Sequence, residues 1–391
     1  MKTLYLHIGT PKTATSSIQK FLEDNREVLQ KHGYSYPPSL HTYAGVNARR
    51  NGHFLVGKVL DAQGKRDKAK ENAYLEEGIQ QVRREFETYE NVVLSDESLW
   101  FCLSYFKPHA LRDLKKEADA QHYQIKVIVY LRRQDTFLLS RWNQGIKSIR
   151  AAKESCDDYF VMSKDKERKI YQYATKLDEI AAIVGKENVT VRRFVPGTWR
   201  DGSIIHDFMH EIGLDVTPEF VELEESVNFR LDKNATEIKR VMNQADEFTS
   251  KEVAYMGKFL KEISRDYIQK DQTEMLSKEE LEQFLETCAD ENRRVAEEYI
   301  GDGNPLFNKQ VKDLPKWSVK NDLMQEEMIL FFSKVMIDLH RTNEEQAKQI
   351  KELQKQVDQT KKQMQKMDKS FTGLKEKIKH PFRTIWHRIF H

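Results

Sequence analysis

The chain of 391 residues is poor in cysteine, and its cysteines form no recognisable pattern. Cys102, Cys156 and Cys288 lie far apart in the sequence, without the spacing of a metal site. An odd number of cysteines also argues against a framework of disulfide bonds. Because no cluster of His, Cys and Asp ligands stands out elsewhere, the sequence predicts reduced thiols and no metal site.

Long apolar runs are absent as well. No stretch of about 18 apolar residues is present, so no membrane-spanning helix is expected. The first residues lack the basic region and apolar core of a secretory signal, and a cytoplasmic protein is therefore expected. With 39% hydrophobic residues, the chain can bury the core of one α/β domain of about 300 residues and carry an appendage.

The start of the chain is typical of a strand, a tight loop and a helix. An apolar run comes first, consisting of Leu4, Tyr5, Leu6 and Ile8, and Ile18 and Phe21 follow at helical spacing. Between them the loop reads Gly9, Thr10, Pro11, Lys12, Thr13, Ala14, Thr15, Ser16, Ser17. Such a loop directs backbone N–H groups and the positive end of a helix dipole at one point, beside a lysine and several hydroxyls. The segment is therefore predicted to bind phosphate or sulfate groups.

This loop differs from the phosphate loop of ATPases and kinases. In that loop a glycine precedes the lysine and another stands six positions before it, whereas this chain has Pro11 and Leu6 there. Proline also lacks the N–H that a nucleotide loop donates. Taken alone, the Thr- and Ser-rich segment could still be an ordinary helix N-cap.

A second apolar run ends in basic residues. Residues 125–131 are apolar except for Lys126, as expected of a parallel strand covered on both faces. Arg132 and Arg133 follow, and Ser140 lies eight residues after Arg132. A guanidinium fork and a hydroxyl two helical turns later can bind one phosphate from the same direction. Surface charges at a strand end are the plainer alternative.

Together the two segments resemble the sulfotransferases that use 3′-phosphoadenosine 5′-phosphosulfate (PAPS). Residues 11–16 match that family's pattern Pro-Lys-Thr/Ser-Gly/Ala-Thr-Thr/Ser, with Ala14 where glycine is commoner. Arg132 and Ser140 match the arginine and serine that hold the 3′-phosphate in the family. The resemblance implies a three-layer, P-loop-like α/β fold with a central parallel sheet flanked by helices, over residues 1–315.

The resemblance also implies the reaction and the cofactor contacts. A sulfuryl group would move in line from PAPS to a hydroxyl or amine without a metal, while Lys12 neutralises the leaving oxygen. The implied cofactor contacts are Gly9, Thr10, Lys12, Thr13, Ala14, Thr15, Ser16, Ser17, Arg132, Ser140, Arg193 and Arg230. Arg193 ends a further predicted strand at residues 189–194, and Arg230 lies where relatives place a loop over the nucleotide.

Four residues are candidates for the general base. A predicted strand at residues 92–94 leads into Asp96 and Glu97, and the carboxyl ends of parallel strands face the ligand crevice. The resemblance makes Glu97 the leading candidate, with Asp96 as its rival, His53 as second choice and His41 as third. The acidic pair could instead cap a helix, and a lone histidine is more often a surface residue.

The acceptor is predicted to be a glycan or glycolipid, with no nucleic acid as partner. This prediction rests on the tail and on the resemblance to carbohydrate enzymes. Aromatic residues of segments 34–60 and 99–110 are expected to line its cleft: Tyr34, Tyr36, Tyr43, Trp100, Phe101 and Tyr105. An ATP- and magnesium-dependent kinase using Lys12, Thr13 and Asp96 is one alternative function. An inactive membrane-associated scaffold is the other.

The end of the chain has a different pattern. After a predicted connecting helix at 316–349, a coiled coil is predicted at 350–380 because seam residues alternate by three and four. They are Ile350, Leu353, Val357, Thr360, Met364, Met367, Phe371, Leu374 and Ile378. A homo-oligomer through residues 350–378 is expected from this seam. An amphipathic helix packed on the catalytic domain is the alternative.

Residues 381–391 are predicted to form a basic amphipathic helix of the kind that lies in a membrane surface. Phe382, Ile385 and Trp386 fall on one face, opposite arginines. Residues 341–391 hold 13 Lys and Arg against 6 Asp and Glu, while the rest of the chain holds 51 against 56. This asymmetry predicts peripheral binding of residues 375–391 to an anionic membrane surface. A docking helix at a subunit interface is the alternative.

Overall fold

The computed structural model describes residues 1–101, 107, 109–148, 152–165, 168–223 and 231–379. Within them, five strands form a parallel sheet: β1 (Thr3–His7), β2 (Tyr34–Ser35), β3 (Asn91–Ser95), β4 (Gln124–Leu131) and β5 (Val189–Arg193). The strand order is β2-β3-β1-β4-β5, and each neighbouring pair is parallel. β1 is central, so the loop that follows it emerges between the ends of β3 and β4.

Helices cover both faces of this sheet. Their bounds are α1 (Thr15–Asp24), α2 (Arg26–Lys31), α3 (Lys68–Thr88), α4 (Ala110–Gln121), α5 (Gln134–Lys147), α6 (Cys156–Asp165), α7 (Tyr173–Val184), α8 (Ile204–Glu211), α9 (Lys233–Met242), α10 (Ser250–Tyr267), α11 (Lys278–Glu286), α12 (Ala289–Val295) and α13 (Asp322–Lys379). A π-helical turn, Ala296–Ile300, continues α12. A short 3₁₀ helix, His53–Leu55, lies between β2 and α3.

The side chains of β1 alternate between two apolar clusters. Leu4 and Leu6 pack with residues of α3, α4 and α7, whereas Tyr5 packs with residues of α1 and α8. Successive side chains of a strand point to opposite faces, so a strand covered on both sides must be apolar throughout. The predicted three-layer α/β fold is confirmed.

The predicted strands at residues 92–94, 125–131 and 189–194 correspond to β3, β4 and β5. β2 was not predicted, because two residues carry no periodicity. It nevertheless extends the sheet, pairing Tyr34 with Asn91 and Ser35 with Val92.

α13 is one continuous helix of 58 residues. The predicted boundary between a connecting helix and a coiled coil, at residue 350, falls inside it without a break. Its first turns pack on α9 and α10, where Phe331 meets Leu231 and Phe259. From residue 339 to residue 376 its side chains are exposed, so this part does not pack on the α/β domain. Residues 381–391 lie outside the described residues.

None of the helices in the described part of the chain combines the length and apolarity needed to cross a membrane.

Candidate functional site

The loop between β1 and α1 is fixed to the end of β4. The N–H of Thr10 donates to the carbonyl oxygen of Tyr130 over 2.9 Å, and the N–H of Tyr130 donates to that of Gly9 over 2.8 Å. The hydroxyl of Thr10 also donates to the Tyr130 carbonyl, over 3.1 Å. These bonds hold the loop at the carboxyl end of the sheet, where parallel α/β folds bind ligands.

The start of α1 is left without a side-chain cap. Ala14 is the N-cap residue, with φ 58°, and no side chain accepts a hydrogen bond there. The hydroxyl of Thr13 does not cap the helix and donates instead to the carbonyl of Thr10. The alternative of an ordinary Ser or Thr N-cap is therefore wrong. Since the first N–H groups of a helix lack an acceptor one turn earlier, the start of α1 is suited to an anion.

Gly9 allows the backbone of Glu97 to lie close to the loop. Its φ of +94° favours glycine, and a Cβ placed there would lie 3.1 Å from both Cα and Cβ of Glu97. Any larger residue would push the β1 loop away from the residue that follows β3. The backbone of Glu97 therefore packs directly against the predicted anion loop.

The two predicted cofactor motifs meet at Arg132. Its Nη1 donates to the carbonyl oxygen of Lys12 over 3.0 Å, and its Nε donates to Oγ1 of Thr136 over 3.0 Å. Burial lowers the pKa of Lys12, the positive charge of Arg132 lowers it further, and Glu97 opposes both. Two neighbouring cations in a half-buried site repel each other, and a bound anion would relieve that repulsion.

Ser140 lies on the same side of α5 as this contact. Thr136, which touches Arg132, is four residues earlier, and residues four apart share one face of a helix. Ser140 is half-buried. Thr136, which Arg132 contacts, and Ser140 therefore lie on one face of α5.

The base candidates form one polar cluster around Arg50. Arg50 donates to Asp96 through Nη2 over 2.6 Å and through Nε over 3.1 Å, and its Nη1 lies 3.4 Å from Oε1 of Glu97. Nδ1 of His53 lies 2.7 Å from Oδ2 of Asp96. Glu97, Asp96 and His53 are thus brought together, although sequence reasoning did not find Arg50. No local pattern distinguishes this arginine from Arg49 beside it.

Asp96 has the environment of an internal counter-ion. It is fully buried. Burial alone would raise its pKa, but the hydrogen bond from His53 and the charge of Arg50 outweigh burial and hold that pKa below its ordinary value. A buried carboxylate with these partners orients His53 and Arg50, and it is poorly placed to meet an acceptor. This environment favours Glu97 over Asp96 as the candidate base.

A chain of polar side chains holds Glu97 from the other side. Nε2 of Gln19 donates to Oε2 of Glu97 over 3.1 Å and to Oγ of Ser95 over 3.2 Å. Nδ1 of His7 lies 2.9 Å from the same Ser95 oxygen. Burial lowers the pKa of His7 to about 3, so its ring is neutral. His7 and Gln19 were not predicted, although a histidine inside the apolar run of β1 was a visible signal.

Two of the predicted site residues have their partners elsewhere in the structure. The ring of His41 stacks on Tyr74 of α3 at 3.5 Å, away from Lys12. Arg193 is engaged by Asp302, at 2.7 and 2.9 Å, and by the carbonyl oxygens of residues 304–306. Those bonds fasten a turn to β5 and disfavour the predicted cofactor contact. Arg230 lies outside the described residues.

The aromatic residues predicted to line an acceptor cleft are mainly core residues. Tyr34, Tyr36, Tyr43 and Trp100 are buried. The hydroxyl of Tyr34 donates to the carbonyl of Ile212, and Trp100 packs edge-on against Tyr173. Phe101 is half-buried, and Tyr105 lies outside the described residues. The four buried aromatic residues therefore serve the packing of the core.

In the part of the chain that the structure describes, no group of three or more His, Cys, Asp and Glu side chains could hold a metal ion.

Comparisons with known proteins give limited information. No family model matches the chain. An uncharacterized protein from Archaeoglobus fulgidus is 26% identical over 200 residues, which are 49% of this chain. The match spans 52%, about half, of that protein's length. A crystal structure of a sulfotransferase from Alicyclobacillus acidocaldarius aligns with 58% of this chain and 88% of its own, at 15% identity and a TM-score of 0.35. A similarity this weak assigns neither a fold nor a function.

Proposed function

We propose that this protein transfers a sulfuryl group from PAPS to a hydroxyl or amine of an acceptor. The observation that carries the proposal is the hydrogen bond from Arg132 to the carbonyl oxygen of Lys12. It joins a loop suited to a 5′-phosphosulfate with an arginine and a serine suited to a 3′-phosphate. A ligand with two anionic groups at its ends fits this pair of sites better than a single phosphate would.

In the proposed reaction the acceptor oxygen or nitrogen attacks the sulfur of PAPS. A bond from that atom to sulfur forms while the bond from sulfur to the 5′-phosphate oxygen breaks. Lys12 and the open N–H groups at the start of α1 stabilise the charge that grows on the departing phosphate. 3′-Phosphoadenosine 5′-phosphate leaves, and the general base takes the acceptor's proton.

Glu97 is the leading candidate for the base, because its backbone packs on Gly9 and its charge acts on Lys12. Its two oxygens are held by Arg50 and Gln19, which fix the carboxylate in one orientation. His53 is the second candidate, since Asp96 holds its Nδ1 and an oriented imidazole can act as a base through Nε2.

A kinase function has less support from the same residues. A second magnesium ligand would have to come from Asp96, which is enclosed by Arg50 and His53. Pro11 stands where a nucleotide loop has a glycine. The inactive scaffold stays an alternative, because anion-binding residues alone do not prove turnover. A glycan or glycolipid is the proposed acceptor.

The test is isothermal calorimetry with 3′-phosphoadenosine 5′-phosphate without metal, and with ATP plus magnesium. Arg132→Ala is the test variant. Arg83→Ala is the matched control, since Arg83 pairs with Glu117 on the surface. We expect micromolar binding of the former ligand, lost in Arg132→Ala and kept in Arg83→Ala. Binding of ATP alone, and only with magnesium, would overturn the proposal. Transfer of labelled sulfate from PAPS to glycan acceptors then distinguishes an enzyme from a scaffold.

A further inference from the structure

α13 uses one face for its own domain and leaves the opposite face uncovered. Glu327 and Phe331 are buried near its start. Lys334 lies 3.6 Å from Glu262 of α10, and Asp338 accepts a hydrogen bond from Tyr255 over 2.8 Å. These contacts all lie on the side that faces α9 and α10. Leu323 and Val335 also pack on this side, whereas Ile329, Phe332 and Met336 are exposed.

Those outward residues form one regular seam along the helix. It contains the following residues, which we call the outer seam: Ile329, Phe332, Met336, Leu339, Asn343, Gln346, Ile350, Leu353, Val357, Thr360, Met364, Met367, Phe371, Leu374 and Ile378. The spacing alternates by three and four throughout, with a period of 3.5 residues. Its large apolar side chains are each between 48% and 71% exposed. The seam thus starts 21 residues before the predicted coiled coil.

A strict period of 3.5 requires a partner helix that supercoils with the same repeat. A straight helix lying on a globular surface has a period of 3.6 and would drift away from such a seam within a few heptads. The occupant must therefore be another helix of matching repeat and length. A second copy of α13 meets this requirement along the whole seam.

We propose that α13 pairs with α13 of a second copy in a parallel, two-stranded coiled coil over residues 329–378. Ile329, Ile350, Val357 and Ile378 occupy a positions, while Leu339, Leu353 and Leu374 occupy d positions. β-Branched residues at a with leucine at d favour two parallel strands.

Asn343 gives the pairing its direction and register. It is the polar residue at an a position, and Gln346 follows at the next d position. In a parallel pair in register, Asn343 meets its own copy and the two amides can hydrogen-bond. In an antiparallel pair of full overlap, Asn343 would not face its own copy and would lose that bond. A single buried asparagine at an a position is known to fix register and strand number at a cost in stability.

The positions beside the seam do not oppose this arrangement. In a parallel pair, each g position lies near the e position five residues later in the other helix. From residue 349 onward, those pairs are Gln349 with Gln354, Gln356 with Lys361, Gln363 with Asp368, and Ser370 with Lys375. None brings two like charges together. α13 is about 87 Å long at 1.5 Å per residue, so both domains would lie at one end and both basic tails at the other.

The first experiment is sedimentation equilibrium of the full chain. We expect a dimer. The double variant Ile350→Glu with Val357→Glu should sediment as a monomer, because it buries two carboxylates in the seam. The matched control is Gln359→Glu with Gln365→Glu, which adds the same charges outside the seam and should leave the dimer intact. A monomeric unsubstituted chain would overturn the proposal. A dimer that persists in the double variant Ile350→Glu with Val357→Glu would overturn it as well. Trimers or tetramers of the unsubstituted chain would overturn the two-stranded assignment.

The second experiment tests orientation by disulfide cross-linking. In a parallel pair, Leu374→Cys lies opposite its own copy and should cross-link under mild oxidation. Lys369→Cys, on the outer side of the helix, should not, and the unsubstituted chain controls for the native cysteines. A dimer in which Leu374→Cys fails to cross-link would overturn the parallel arrangement. Binding of 3′-phosphoadenosine 5′-phosphate is measured separately, so the two proposals can fail independently.

Discussion

Nη1 of Arg132 donates a hydrogen bond to the carbonyl oxygen of Lys12 over 3.0 Å, across 120 residues of sequence. This bond connects the loop after the central strand with the end of the neighbouring strand. It also sets two positive side chains beside each other with Glu97 near Lys12. The predictions below follow from this group of charges and from the elements that hold it in place.

Lys12→Met should slow sulfuryl transfer more than it weakens binding. The lysine ammonium is proposed to meet charge that develops on the leaving oxygen, so its contribution is largest in the transition state. Loss of one such donor costs roughly 10²- to 10³-fold in kcat. Steady-state kinetics with PAPS, and calorimetry with 3′-phosphoadenosine 5′-phosphate, separate the two effects. A loss of affinity with kcat unchanged would assign Lys12 to binding alone.

Glu97→Gln and His53→Asn together identify the general base. Removing the base should lower kcat by roughly 10²- to 10⁴-fold. We expect this loss in Glu97→Gln, because glutamine keeps the size of the side chain but accepts no proton. Asparagine at position 53 can still hydrogen-bond to Asp96, so His53→Asn should lose far less. The measurement is the pH dependence of kcat for each variant. A larger loss in His53→Asn would assign the base to the His53 and Asp96 pair.

Ala14→Gly should stabilise the protein. Ala14 has φ 58°, in the left-handed region that disfavours residues with a Cβ by roughly 1–2 kcal/mol. Glycine loses more conformational entropy on folding, which offsets part of that gain, and a net stabilisation of about 0.5–1 kcal/mol is expected. Thermal denaturation followed by circular dichroism measures it. Ala235→Gly, at a buried position in the first turn of α9, is the control and should destabilise the protein. A lower Tm for Ala14→Gly would contradict the assigned backbone conformation.

The sequence predicted those parts of the site that lie in continuous motifs. The loop at residues 9–17 and the pair of Arg132 and Ser140 were identified because each is a short pattern attached to an apolar strand. Parallel strands bring such patterns to one edge of a sheet, so their meeting could also be expected.

The rest of the site depends on contacts that sequence spacing does not encode. Arg50 reaches Asp96 from an irregular segment 46 residues earlier, and Arg49 beside it binds Glu23 instead. Arg193 ends a strand as Arg132 does, yet Asp302 holds it elsewhere. In both cases tertiary packing, rather than local pattern, decides which of several similar arginines enters the site.

A pair of buried carboxyl groups at the root of α13 predicts a stability that depends on pH. Glu327 and Asp232 are both buried, and among the described residues neither Oε2 of Glu327 nor Oδ2 of Asp232 has a hydrogen-bond partner. Burial raises the pKa of Glu327 above its ordinary value, and the charge of Asp232 raises it further. Asn234 donates to the other oxygen of Glu327 over 2.8 Å and opposes this shift only partly.

The sign of the effect follows from the raised pKa. The folded protein keeps the proton on Glu327 at a pH where the unfolded chain has already lost it. Stability is therefore greatest below the ordinary pKa of a glutamate and falls as pH rises through the raised pKa of the folded state. Glu327→Gln carries no titrating proton and can still accept from Asn234. This variant should be more stable than the unsubstituted chain near pH 8 and similar to it near pH 5.

Thermal denaturation at about pH 5 and about pH 8 measures this difference. Glu345→Gln is the matched control, because Glu345 is exposed on the free part of α13 and should leave both values unchanged. If Glu327→Gln lowered the Tm at both pH values, the carboxyl of Glu327 would be ionised in the folded protein. In that case the bond from Asn234 would outweigh the repulsion from Asp232, and the root of α13 would gain stability as the pH rises.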